Sequence, residues 1–247
     1  MFPIRDHNPS GRTPYVTYAL MIANIAVFLS YVPILDDDRA LYALYNTYAL
    51  FPARLTAGYG FEALITSQFL HGGWAHLAGN ILFLWIYGDN VEDEMGPLRY
   101  LIFYLLCGIA AGLTQVALEP ASAIPMVGAS GAIAGVMGAY LLMFPKAKVD
   151  VLIIFIVFFR IFPIPAWIML AVWFGMQFVG GIASDPNQGG TAYWAHAGGF
   201  VAGLLLILRL WLRRGGPAFW DRTAGHPPHP EARYDTITSR IPKVGRR

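Results

Sequence analysis

The sequence predicts an all-α membrane protein: a bundle of six transmembrane helices with a long external loop between helices 1 and 2. Three observations carry that reading. Charged residues make up 13% of the 247-residue chain, about half the roughly 25% usual in soluble domains. Six charge-free runs approach or exceed the ~20 residues that a helix needs to cross a bilayer core. Basic residues are also shared very unevenly among the segments that join those runs.

In order, the runs are Tyr15–Leu35, Leu70–Gly88, Tyr100–Leu118, Pro120–Pro145, Ile161–Ser184 and Pro186–Leu208. Val151–Phe159 is apolar too, but it is short and ends at Arg160. It reads as an interfacial or partly re-entrant piece leading into the fifth run, with Pro163 and Pro165 at the entry. Six crossings place both termini on one side. With that side cytoplasmic, the inner segments hold Arg5, Arg12, Arg99, Lys146, Lys148, Arg160 and the basic residues from Arg209 onward. The outer loops hold only Arg39 and Arg54, a strong positive-inside signal. Asp36–Thr66 is the longest external segment, and long ordered loops tend to carry function. The Pro- and Arg-rich stretch from Gly215 to Arg247 reads as a flexible cytoplasmic extension. Met1–Pro14 is polar and broken by prolines, unlike a cleavable signal peptide. The single cysteine, Cys107, argues against an internal disulfide or a cysteine-rich metal site.

Polar side chains inside a bilayer are rare and face the bundle interior or a water-filled cavity. The second run opens "HGGWAHLAGN", with His71, His76 and Asn80. His76 and Asn80 are four apart and share a helix face. The fourth run contains Ser130 in "MVGASGAIAG", and the sixth contains His196 in "YWAHAGGFVAG". All three runs enter from the outer side, so at 1.5 Å per residue these four side chains fall at one depth. A serine hydroxyl needs a base to take its proton, and histidine is the usual base. No run contains Asp or Glu, so the expected arrangement is a Ser130–His196 dyad. The Ser130 backbone N–H, the Asn80 amide and the His76 imidazole are all capable of donating to an oxyanion. Gly128, Gly131, Gly135 and Gly138 recur at steps of three and four, and Gly199 and Gly203 form a GxxxG pair. Such small residues let membrane helices approach backbone to backbone, which would set Ser130 against His196.

These motifs resemble the rhomboid family of intramembrane serine proteases, over roughly Tyr15 to Leu212. The matching stretches are "GASG" around Ser130, "AHAGGFVAG" around His196, "HGGWAHLAGN", and "EDEMG" with Glu92 and Gly96. The resemblance implies a six-helix protease domain over 15–212, between a cytoplasmic segment 1–14 and a flexible basic tail 213–247. It implies hydrolysis of a peptide bond in single-pass or other transmembrane proteins, near the outer face, at small residues with helix-destabilising residues nearby. It implies Ser130 as nucleophile, His196 as base, and His76 with Asn80 at the oxyanion. His71 and Glu92 read as structural groups. Two features depart from the family pattern: the first loop reads "GYGFEALITSQFLH" in place of a Trp-Arg pair, and Ala134 stands where some members have an aromatic.

Three other functions compete. A zinc protease could use His71, His76 and His196, but HExxH is absent and no carboxylate stands nearby. An inactive rhomboid-like protein that binds membrane clients would lack the serine or the histidine, or place proline before the serine; here Ala129 precedes it. A transporter would show an internal repeat or intramembrane charge. No cofactor, metal or nucleic-acid partner is expected. The expected setting is a multi-pass protein of a prokaryotic inner membrane.

Overall fold

A computed structural model of the chain describes residues 2–155, 158–185 and 189–232. The element order is β1 (Phe2–Asp6), α1 (Tyr15–Tyr31), α2 (Asp38–Tyr48), α3 (Pro52–Thr56), α4 (Ala63–Thr66), α5 (Trp74–Met95), α6 (Pro97–Leu118), α7 (Ser130–Met143), β2 (Lys148–Phe155), β3 (Phe158–Pro165), α8 (Ala166–Ala183), α9 (Tyr193–Arg213) and α10 (Pro217–Thr223). By length and composition, Tyr15–Ile34, Pro97–Leu118, Ala166–Ala183 and Tyr193–Arg213 can each cross a membrane. α5 is as long as α6, but its last turns carry Asp89, Glu92, Asp93 and Glu94. α7 has 14 residues, which is only ~21 Å of helix.

Each of the six charge-free runs holds one of these helices, with different bounds. The fourth run is half irregular: Pro120, Pro125 and a positive φ at Gly128 keep the chain out of helix until Ser130. Gly128 therefore stands outside the glycine ridge of α7. The fifth helix starts at Ala166, directly after Pro165. Residues 186–188, the start of the sixth run, lie outside the described residues.

The stretch Val151–Phe159 is strand rather than helix over its described residues. Its described residues belong to an antiparallel hairpin in which Lys148 faces Pro165 and Phe155 faces Phe158, while 156 and 157 lie outside the description. Its β-branched and aromatic content favours a pleated strand. β3 is an edge strand, where Pro163 and Pro165 are tolerated. β1 pairs with the other side of β2, giving a sheet of order β1-β2-β3, so the fold is mostly helical rather than wholly so. The segment 36–66, expected as a loop, is largely the short helices α2 to α4. Asp37 caps α2 by accepting from the Arg39 and Ala40 amides. Within the tail expected to be flexible, α10 donates from Trp220 Nε1 to the Leu142 carbonyl, and Lys148 pairs with Glu231 at 2.8 Å. The remaining residues, 233–247, lie outside the description.

α7 is the central helix. Every residue from Gly131 to Tyr140 is buried, as expected of a helix apolar on all sides. Its glycines face α6 and α9. A Cβ at Gly199 would overlap the Gly131 carbonyl, one at Gly203 the Gly135 carbonyl, and one at Gly138 the Phe200 carbonyl. In the same three-helix contact, Gly131 lies against Ala111 and Gly135 against Cys107 of α6. The predicted backbone-to-backbone contact of the fourth and sixth runs is therefore present, and a third helix seals it.

At the charged end of the bundle, Asp6 is buried and accepts from Asn90 Nδ2 at 2.9 Å and Tyr140 Oη at 3.1 Å. Burial, reinforced by the Asp89 charge, pushes its carboxyl from 3.8 up to about 7. A group whose folded pKa is raised lends its stability in full below the unfolded pKa and loses it as pH climbs through the folded value. The unfolding temperature should therefore decline between pH 4 and 7 by more in the parent than in Asp6→Asn, which stays neutral throughout. Identical pH dependence in thermal melts of the two would contradict the assignment.

Candidate active site

Ser130 is the first residue of α7. Its backbone N–H, like the others of a first helical turn, has no carbonyl one turn earlier to bond. Its side chain faces α9, where His196 Nε2 lies 2.7 Å from Ser130 Oγ. The two residues are 66 apart in sequence, and the glycine contact of α7 with α9 sets their separation. The first turn of α9 is itself fastened: the buried Ala195 N–H donates to Gln115 Oε1 of α6 at 3.0 Å.

His76 and Asn80 approach from α5. The Gly72 N–H donates to His76 Nδ1 at 3.3 Å, so the neutral ring carries its hydrogen on Nε2. That nitrogen lies 2.8 Å from where a Cβ on Gly128 would stand. Gly128 has φ +130, so both the backbone conformation and the space require glycine there. Asn80 is buried, and its Nδ2 finds no partner among the described residues. Ser130, His196, His76, Asn80 and Gly128 line one cavity of about 570 Å³. The side chains of His76 and Asn80 thus stand in the same cavity lining as the hydroxyl. Among the described residues, no three His, Cys, Asp or Glu side chains gather as a metal site.

The segment 36–66 reaches this cavity through backbone pairing. Leu50 and Met126 exchange both N–H···O bonds, at 3.1 and 2.8 Å, and the Gly128 N–H donates to the Ser67 carbonyl at 2.9 Å. The irregular stretch before Ser130 is thereby held from one side along most of its length.

Of the remaining sequence-predicted residues, Gly131 also lines the cavity, and His71, Glu92, Gly96, Gly199 and Gly203 stand outside it. His71 is fully buried. Its N–H donates to Tyr31 Oη at 2.6 Å, and that hydroxyl donates back to the His71 carbonyl at 2.9 Å. Its ring lies edge-on to His76, with centroids 5.2 Å apart. Glu92 accepts from the Val16 N–H, the Thr17 N–H and the Thr17 hydroxyl at 2.8–2.9 Å. A carboxylate on the first amides of α1 satisfies orphan donors and opposes the helix dipole. Gly96 turns the chain at φ +77 between α5 and α6, with Pro97 opening α6. Gly131, Gly199 and Gly203 make the helix contact described above.

Two residues of α8 escaped the sequence reading. Gln177 Oε1 lies 2.8 Å from His196 Nδ1. The Trp173 ring lies 5.8 Å from the His196 ring at an interplanar angle of 31°. Trp173 supplies the aromatic neighbour that Ala134 cannot. The signal for Gln177 was available, because it is the one amide side chain in the run Ile161–Ser184.

A hydroxyl bonded to an imidazole, with amide and imidazole N–H groups in the lining of the same cavity, is an arrangement suited to acyl transfer. Here it is built inside a helical membrane bundle. The family model of the Rhomboid domain matches residues 60–213, more than half of the chain, and the protein belongs to the rhomboid family. It is an integral membrane protein. It is 37% identical over 139 residues to the chloroplastic rhomboid-like protein 11 of Arabidopsis thaliana, covering 56% of this chain and 45% of that one. It is 32% identical over 159 residues to the rhomboid protease GluP of Bacillus subtilis, covering 64% of this chain and 28% of that one. It is 30% identical over 149 residues to the mitochondrial rhomboid protein 1 of Saccharomyces cerevisiae, covering 58% and 40%. The chain spans less than half the length of each of these relatives. Two of them carry organellar names, so the expectation of a prokaryotic membrane gains no support here.

The capping role of Glu92 makes a direct prediction. Glu92→Ala should lower the unfolding temperature by the equivalent of about 1–3 kcal/mol, the usual cost of leaving buried donors unpaired. Amide exchange should quicken at Val16 and Thr17 ahead of the rest of α1. Unchanged exchange at those two amides would contradict the cap.

Proposed function

We propose that this protein is an intramembrane serine endopeptidase, hydrolysing a peptide bond of a transmembrane protein near the outer membrane face. The observation that carries the reading is the 2.7 Å contact between Ser130 Oγ and His196 Nε2 at the wall of a cavity. In this reading Ser130 is the nucleophile and His196 the general base. Nε2 takes the hydroxyl proton as Oγ attacks the scissile carbonyl carbon. Charge then collects on the carbonyl oxygen, to which His76 Nε2–H, Asn80 Nδ2–H and the Ser130 N–H donate in this reading. His196 passes its proton to the departing amine. Water entering the cavity is deprotonated by His196 and releases the acyl group, returning the serine.

The same reading makes α1 and α5 to α9 the six crossings, puts both termini in the cytoplasm, and opens the cavity outward. The protease domain is then 15–212. Substrates are single-pass or other transmembrane proteins with small residues at the cut. A short α7 suits this chemistry, since starting the helix below the outer surface leaves space above Ser130 for water and an unwound substrate segment. The contact between Ser130 and His196 favours this reading over an inactive, client-binding rhomboid-like protein.

Cleavage of a model transmembrane substrate by purified protein in bilayers tests this. Ser130→Ala should fold with the parental unfolding temperature and cleave nothing. Asn80→Ala should lower kcat about a hundred- to a thousand-fold, or roughly 3–4 kcal/mol, as removal of an oxyanion donor does. Its KM should barely move, because the ground state hardly uses that bond. Retained cleavage by Ser130→Ala would end the serine-protease reading. Loss of stability in Asn80→Ala that parallels its lost activity would make Asn80 a brace between helices.

A further inference from the structure

We propose that Gln177 is a positioning residue for His196, holding the imidazole in the tautomer whose bare Nε2 faces Ser130. This rests on the reading of Ser130 and His196 as the reacting pair.

Gln177 is buried in an otherwise apolar helix, where an amide without partners is costly. Its two ends are both engaged. Nε2–H donates to the Trp173 carbonyl at 3.2 Å, and Oε1 lies 2.8 Å from His196 Nδ1. A carbonyl can only accept, so the amide nitrogen must be the end that faces Trp173. The amide oxygen therefore faces the imidazole, and it too can only accept. Nδ1 must carry the ring hydrogen. A neutral imidazole has one N–H, so Nε2 is left as a bare acceptor, 2.7 Å from Ser130 Oγ. The direction of donation is then settled along the row: Ser130 Oγ–H to Nε2, and Nδ1–H to Gln177 Oε1.

The same bond helps when the proton moves. Once Nε2 has taken the serine proton, the ring is a cation and its Nδ1–H···O bond becomes charge-assisted, so it strengthens. An amide offers this without a buried negative charge in the resting state, which an apolar site would penalise. Trp173, one turn earlier on the same face of α8, lies along the ring. One helix thus holds His196 by an edge and by a face. A Cβ at Gly181 would come within 2.8 Å of the Trp194 ring of α9, so α8 is seated closely enough to act as that support.

The test uses full-length protein labelled with ¹⁵N-histidine, in bilayers, as parent, Gln177→Leu and Gln177→Glu. The parent should show His196 with a protonated Nδ1 and a bare Nε2. Gln177→Leu should lose kcat about 10- to 100-fold, the scale seen when a partner that orients a functional histidine is removed. Its KM should stay within about twofold, and its His196 signals should move to mixed tautomers. Gln177→Glu keeps an accepting oxygen in reach, so it should recover most of the activity and the parental tautomer. A parental spectrum with hydrogen on Nε2 would overturn the proposal, even if Gln177→Leu failed to fold. So would a Leu variant with parental kcat, or Leu and Glu variants equally impaired. Cleavage by Ser130→Ala would instead remove the underlying reading, and the tautomer measurement stands apart from it.

Discussion

The contact on which the rest of the structure depends is the backbone-to-backbone seam of α7 and α9. Gly131 meets Gly199, and Gly135 meets Gly203, with no room for a methyl group at either of the α9 positions. Between helices in lipid there is little hydrophobic drive, so close van der Waals contact has to hold them. Here the seam also sets the distance between two side chains. Ser130 stands one residue before Gly131, and His196 one turn before Gly199, so whatever spaces the glycines spaces the hydroxyl and the imidazole.

The other features near the cavity support that seam. α6 backs it with Ala111 and Cys107 and fastens the start of α9 through Gln115. α8 orients the imidazole through Gln177 and Trp173. Leu50, and Ser67 just past the segment 36–66, pin the irregular stretch ahead of α7. At the far end, Glu92 ties α5 to the start of α1, and the three-stranded sheet joins Phe2–Asp6 to the hairpin. Among the described residues, Glu119 and Asp185 are the only Asp, Glu, Lys or Arg side chains in the cavity lining.

Much of this was legible in the sequence, for identifiable reasons. Charge-free runs locate helices because a bilayer excludes charge, and all six runs held one. The glycine spacing announced the seam, and polar residues at one depth announced Ser130, His196, His76 and Asn80 as neighbours. The start of α7 was not legible, because the run from Pro120 to Pro145 is uniformly apolar and hydropathy does not mark where a helix begins. The hairpin was missed since a short apolar run reads the same as strand or buried helix until its partner is known. Gln177 was overlooked because it sits alone, without a motif around it, although a lone amide in a membrane run is itself a signal. The aromatic neighbour of His196 could not be foreseen, because Trp173 comes from a helix with no motif to mark it.

If the glycine seam sets the reacting distance, disturbing it by one methyl group should silence Ser130 without touching any polar residue. The most direct measurement is the rate at which a fluorophosphonate labels Ser130 in Gly199→Ala, beside Gly175→Ala, whose added Cβ meets nothing within 4 Å. Overpacking of this kind costs about 1–3 kcal/mol, which a folded bundle can bear by shifting α9. The seam predicts labelling slowed at least about tenfold in folded Gly199→Ala, since 1.4 kcal/mol is a factor of ten, and a parental rate in Gly175→Ala. Parental labelling by a folded Gly199→Ala protein would contradict it.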